Sequence, residues 1–195
     1  PLVADFMDDY PLIRLELVSG ETVIDLIEER ADLAIRIGPL ADSTLNARKL
    51  GRSRLRVLAA PAYLARHGTP QSVDDLAGHR LLGFTAPQSL NTWPLMHAGV
   101  EGLPVAPAVT ASSGETLRHL VLAGAGIARL ADFLTLKDVR SGALVHVLED
   151  VTLPWSEPVW AVFYKQGALA PRVSALVDFL AQRLGEMLDP VQQLR

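Results

Sequence analysis

Residues 14–40, RLELVSGETVIDLIEERADLAIRIGPL, change hydrophobic period twice, and this constrains the fold more than any other feature of the chain. Leu15 and Leu17 alternate with Arg14 and Glu16, the period-two pattern of a strand ending at Ser19-Gly20. From Glu21 the spacing becomes helical. Val23, Ile24, Ile27 and Ala31 share one side, while Asp25, Glu28 and Glu29 share the other. Leu33-Ala34-Ile35-Arg36-Ile37 is a second apolar run, stopped by Gly38-Pro39. Strand, helix and strand predict a βαβ unit with both strands parallel in one sheet, and so an α/β fold. Ligands of open α/β sheets sit beyond the carboxyl ends of such strands. Ser19, Gly20, Ile37, Gly38 and Pro39 are therefore the first candidate binding residues.

The rest of the chain fits the same class. Residues 1–10 read as the back half of a helix, with Leu2, Val3, Phe6 and Met7 inward and Pro11 as its stop, which implies further chain upstream. Residues 45–60 predict a strand in which Arg52, Arg54 and Arg56 share a face. Residues 61–68 predict a short helix with Pro near its start and Gly just past its end. Ser72 with Asp75 caps another, which stops at Gly78. Residues 81–84 are a brief strand, and 91–108 read as turn-rich. Ser112 and Glu115 stand as a capping box requires, so a helix starts there, with Leu117, Leu120 and Val121 as its apolar stripe. Gly124 and Gly126 end it. Strands follow at 127–130, 144–148 and 159–164, with helices running to about Arg140 and over 171–187.

Composition narrows the function. Hydrophobic residues make up 49% and charged residues 21% of the 195, enough to bury one large core or two smaller ones. Without cysteine there is no disulfide framework, Cys-based zinc site or thiol nucleophile. The histidines at 67, 79, 97, 119 and 146 have no metal-ligand spacing. There is no GxSxG or P-loop, and Gly124-Ala125-Gly126 lacks the third glycine of a dinucleotide fingerprint. The expectation is a chain that is not an enzyme and needs no metal and no cofactor. A net charge of −4 opposes this stretch gripping DNA by itself, and the row Arg48, Lys49, Arg52, Arg54, Arg56 reads as a solvated strand face. No apolar run reaches membrane-spanning length and no signal-peptide pattern opens the chain, so no membrane partner and a cytoplasmic location are expected.

Several segments, taken in order, resemble one family. They are DDYPLIRLELV, IDLIEERADLAIRIGPLADSTLNARKLGRSRLRVLAAPAYLARHGTP, SVDDLAGHRLLGF, GIARLADFLTLKDVRSGALVHVLED and YKQGALAPRVSALVDFLAQRL. Together they resemble the effector-binding domain of LysR-type transcriptional regulators. The resemblance implies two Rossmann-like α/β lobes of the periplasmic-binding-protein type II kind, joined by two crossover strands, with an effector cleft between them. Lobe I would be 1–56 plus 160–195, and lobe II 57–159. It further implies a homodimer through the helix and strand of lobe I, with a tetramer as an option in the longer protein. DNA contact would come through a winged helix-turn-helix that is absent from this chain. The family's first strand, central in lobe I, is also absent.

Candidate effector residues follow from both lines of reasoning. Helices starting after Ser19-Gly20 and at Ser112-Ser113 would offer backbone N–H groups and a partial positive charge to a carboxylate or phosphate, or the serines simply cap their helices. Ile37-Gly38-Pro39 either lies against the effector or is a plain strand-ending turn. Phe84, Thr85 and Trp93 are candidates for an aromatic and polar pocket wall, with core packing as the alternative. Gly126, Ile127 and Ala128 resemble a family segment that lines the cleft. Arg36 interrupts an apolar strand and either snorkels to its edge or points a guanidinium into the cleft. The function expected is sensing of a small anionic or aromatic molecule. A transporter's solute-binding protein shares the fold and is the alternative, with an α/β enzyme third.

Overall fold

A computed structural model describes residues 2–20, 31–40, 45–164 and 170–188. In chain order the elements are α1 (Leu2–Asp9), β1 (Leu33–Ile37), β2 (Asn46–Ala59), α2 (Pro61–His67), β3 (Leu81–Phe84), β4 (Thr92–His97) and β5 (Val100–Pro104). There follow β6 (Val109–Ala111), α3 (Gly114–Leu122), β7 (Ile127–Ala131), α4 (Asp132–Arg140), β8 (Val145–His146), β9 (Ser156–Phe163) and α5 (Pro171–Leu188). The chain divides into two compact units, Pro1–Ser53 with Glu157–Arg195, and Arg54–Ser156. It passes from one to the other within β2 and again at the start of β9.

In the first unit β9 lies beside β2 and pairs antiparallel with β1, Leu33 opposite Phe163 and Ile37 opposite Val159. Leu50, Val159, Ala161 and Phe163 meet Val173 and Val177 of α5 in one core. These α5 residues recur four apart, with Leu180 and Leu184 continuing the stripe, which is why 171–188 folds as an amphipathic helix over the sheet. Phe6 of α1 is buried and meets Phe179 edge-on at 5.2 Å. Arg48 and Asp178 form an ion pair across β2 and α5.

Two expectations for this unit are corrected. Val3 and Met7 face solvent rather than the interior, leaving Phe6 as the buried residue of α1. Residues 13–20 form no strand, and Leu17 is 67% exposed. A strand holds only when a neighbour takes its backbone hydrogen bonds, and residues 14–18 pair with none of the described strands. The predicted parallel pairing is replaced by the antiparallel β1–β9 ladder, and the helix predicted from Glu21 falls outside the described residues.

The second unit carries the parallel sheet. β3 lies between β7 and β6 and is parallel to both, with Leu81 opposite Ile127 and Phe84 opposite Ala111. β2 pairs antiparallel with β7 and with β8. The segment β6–α3–β7 is thus a crossover joining strands parallel to the same neighbour. Both sheet faces are covered: Val57, Tyr63, Trp93, Leu95 and Ile127 on one side, Leu58, Leu82, Leu117, Val121 and Leu130 on the other. The stretch read as turn-rich holds the β4–β5 hairpin, whose two-residue turn has φ of 50° at Ala98 and 77° at Gly99. Positive φ at both positions matches the twist of the strands, and Ala-Gly gives a weaker sequence signal than Asn-Gly. The strand expected over 144–148 shrinks to β8, because Leu144 and Val147 turn into the two cores.

Candidate functional site

The carboxyl ends of the parallel strands β3, β6 and β7 fall on one edge of the second unit's sheet, because Phe84, Ala111 and the end of β7 are level in the ladder. This edge gathers four of the predicted residues. Phe84 ends β3, Thr85 follows it with its N–H donated to the Ala111 carbonyl at 3.0 Å, and Ser112 and Ser113 lead from β6 into α3. Gly114, the first residue of α3, packs under the Phe84 ring. A methyl group there would stand 3.8 Å from Phe84 Cζ and 3.0 Å from Leu134 Cδ1.

The helix start differs by one residue from the expected box. Ser113 is the N-cap, extended at φ −110°, and its Oγ accepts from the Glu115 N–H at 3.2 Å. Leu117 and Val121 must both point into the core, which sets the helical phase and places Glu115 too early to reach back to the cap. Its carboxylate instead accepts from Arg118 Nη1 at 2.7 Å. Arg118 also grips Asp138 of α4 through Nε at 2.6 Å and Nη2 at 2.8 Å. Hydrogen bonding to Asp138 outweighs burial and holds the Arg118 guanidinium well above its ordinary pKa. On the sheet side Arg56 Nε lies 3.3 Å from Asp132 at the start of α4.

Arg129 is the charge on this edge that sequence reasoning missed. It is only 7% exposed within the all-buried β7, and its guanidinium carbon lies 5.9 Å from the Phe84 ring centroid. Its signal was available, since it interrupts Ile127–Ala131 as Arg36 interrupts β1. Asn91 was missed for a different reason. It is 3% exposed and bonds to both backbone groups of Phe84, a contact that carries no residue-type signature.

The remaining predicted residues lie elsewhere. Trp93 is 1% exposed in the core beside Tyr63 and Leu95, so it packs the interior rather than walling a pocket. Ala128 and Ile127 are core, and Gly126 sits at the opposite, amino end of β7. There a methyl group would come within 2.3 Å of the Arg80 carbonyl oxygen, so close backbone approach demands glycine. In the first unit, Ser19 and Gly20 are exposed in a segment without regular structure. Ile37 is exposed at the end of β1 and Pro39 lies in the turn beyond it. Gly38 has φ of 96°, donates its N–H to the Pro158 carbonyl at 2.9 Å and accepts from Trp160 Nε1 at 3.1 Å, so its backbone is already engaged. Arg36 stands opposite Trp160 in the ladder. Among the described residues no group of His, Asp and Glu is placed to hold a metal, and no helix is long and apolar enough to cross a membrane.

The chain is similar to known transcriptional regulators. The chain is 50% identical over 188 residues to the HTH-type transcriptional regulator CrgA of Neisseria meningitidis, a match covering 96% of this chain and 63% of the relative. The structure of the CrgA regulatory domain superposes with a TM-score of 0.90 over 95% of this chain and 91% of that one. Full-length AphB of Vibrio cholerae, a virulence activator, matches with a TM-score of 0.76 at 27% identity over 94% of this chain and 62% of that one. The chain therefore spans somewhat less than two thirds of the length of these full-length regulators. The family model for the LysR substrate-binding domain matches residues 1–185, and the chain belongs to that family.

Proposed function

We propose that the chain is the sensing part of a cytoplasmic LysR-type transcriptional regulator that binds a small anionic or aromatic effector. An effector with higher affinity for one arrangement of the chain would change how a homodimer presents DNA-binding domains supplied by other parts of the protein. The observation that carries this reading is the edge where Phe84, Thr85, Ser113 and Arg129 meet beside the start of α3. An aromatic ring, hydroxyls, a guanidinium and a helix N-terminus suit a planar anion. Membership of the family and regulator relatives favour this over transport or catalysis. For self-association the support is the exposed apolar set Val3, Met7, Leu12, Leu17 and Val18 on α1 and the segment after it, a concentration unusual for a surface that stays bare.

The test is a thermal-shift screen of small carboxylates and aromatic acids on the whole chain. A true effector at about a hundred times its Kd stabilises by about 2.7 kcal/mol and raises the melting temperature measurably. A screen in which no compound moves the transition, while a control binding protein responds, would sink the sensing role.

A further inference from the structure

We propose that Asn91 is a positioning residue for effector recognition, fixing through the Phe84 backbone an aromatic wall that selects planar aromatic carboxylates. The inference rests on the reading of the β3–β6 edge as an effector site.

The argument begins with the ladder. Thr85 donates its N–H to Ala111, so Gly83 and Thr85 turn their backbone groups toward β6, while Leu82 and Phe84 turn theirs toward β7. Pairing between β3 and β7 ends at Leu82 opposite Ala128. The N–H and C=O of Phe84 therefore extend beyond the last paired position, and the Asn91 side chain takes both. Its Oδ1 accepts from the Phe84 N–H at 2.8 Å, and its Nδ2 donates to the Phe84 carbonyl at 2.8 Å. A primary amide reproduces the donor and acceptor of a peptide group, so Asn91 stands in for the strand that has left.

Asn91 is itself held. Its Nδ2 also reaches Gln88 Oε1 at 3.2 Å, and its carbonyl accepts from the Val105 N–H at 2.9 Å. Gly83 leaves room for it, since a methyl group there would meet Asn91 Oδ1 at 2.4 Å and Pro107 Cγ at 2.3 Å. With its backbone clamped, Phe84, which packs against the core beneath it, keeps its ring near the Arg129 guanidinium and close to Gly114 at the start of α3. A fixed aromatic ring next to a positive group matches a ligand that is both flat and anionic.

The experiment uses the whole chain and two probes of equal charge, benzoate and cyclohexanecarboxylate, titrated calorimetrically alongside thermal unfolding. Wild type is expected to prefer benzoate by about tenfold, the range of one aromatic contact. Phe84→Leu should erase the preference, and Asn91→Ala should reduce it nearly as far. Adding Asn91→Ala to Phe84→Leu should change it no further, because the amide acts through the ring. Asn91→Asp keeps the acceptor and loses the donor, and should fall between; it also serves if the alanine variant does not fold. A lower melting temperature with the benzoate preference intact in Asn91→Ala and Asn91→Asp would overturn the positioning role and leave the effector site standing. Equal binding of the two probes by wild type would overturn the aromatic selectivity. Binding of neither would remove this edge as a site for carboxylates, and the proposal with it.

Discussion

Residues 14–37 and 109–131 carry the same written pattern of strand, helix and strand, yet among the described residues only the second forms a parallel crossover. The difference lies in what each is offered. β6 and β7 both find an edge of β3, and α3 closes over them by burying Leu117 and Val121. Residues 14–18 pair with none of the described strands, and β1 pairs with β9 in the antiparallel sense. Hydrophobic period states which face a segment would bury, whereas a strand exists only where a second strand completes its hydrogen bonds.

The contrast predicts unequal costs for the same truncation. Leu117 is fully buried, so Leu117→Ala should cost about 2–5 kcal/mol through lost transfer energy and a residual cavity. Leu17→Ala, at a site exposed in the single chain, should stay within about 0.5 kcal/mol when measured at a concentration low enough to keep the chain monomeric. Urea unfolding of the two variants reads the difference in midpoint. Equal losses in the monomer would mean that Leu17 is buried within a single chain, and the comparison would then fail.

The next effect concerns how α3 is tied to α4. Arg118→Met removes three charged hydrogen bonds and leaves the largely buried Asp138 carboxylate without its guanidinium, which should cost about 1–3 kcal/mol. Arg118→Met with Asp138→Asn together should cost less than the sum of the single variants, as contacting partners do. Additivity in the cycle would show that the pair does not hold the crossover.

Smaller still is the cap. Ser113→Ala should cost about 1 kcal/mol, while Ser112→Ala should be nearly neutral, because Ser113 Oγ takes the Glu115 N–H. The reverse order would restore the Ser112 box that the spacing suggests and shift α3 by one residue.

These cases show which parts of the fold and site the residues spell out. Helix α2 is legible because Pro61 and Gly68 mark its ends by their own backbone limits, Gly68 at φ of 85°. Phe84, Thr85 and Ser113 are legible as a group because strand ends in a parallel sheet fall on one edge. The choice between Ser112 and Ser113 was not, since it depends on the phase that Leu117 and Val121 impose from the core. Trp93 misled, because an aromatic beside turn residues reads alike whether it lines a pocket or fills the interior next to Leu95. Asn91 stayed silent because its partner is a peptide group, present at every position of every chain.

The smallest effect tests the local end of the comparison, a device that needs no partner from elsewhere in the fold. Asp75 accepts at Oδ2 from the N–H groups of Gln71 and Ser72, each at 2.8 Å, which is one half of the box that the spacing predicts. The short helix Asp74–Gly78 instead has Val73 at its N-cap and no side-chain cap. The bond from Ser72 and then that from Gln71 hold its carboxyl below the ordinary aspartate range. A carboxylate with a lowered folded pKa stabilises the fold above the unfolded value, about 3.9, and loses that contribution as pH falls through the folded value. Asp75→Asn should therefore lower the melting temperature slightly at pH 7, and the gap from wild type should close as the pH is taken down through that window. Because the turn is exposed, salt should barely alter a gap that comes from hydrogen bonds to backbone rather than from paired charges. A gap that stayed constant into acid would place the stabilisation in the shape of the turn and not in the charge of Asp75.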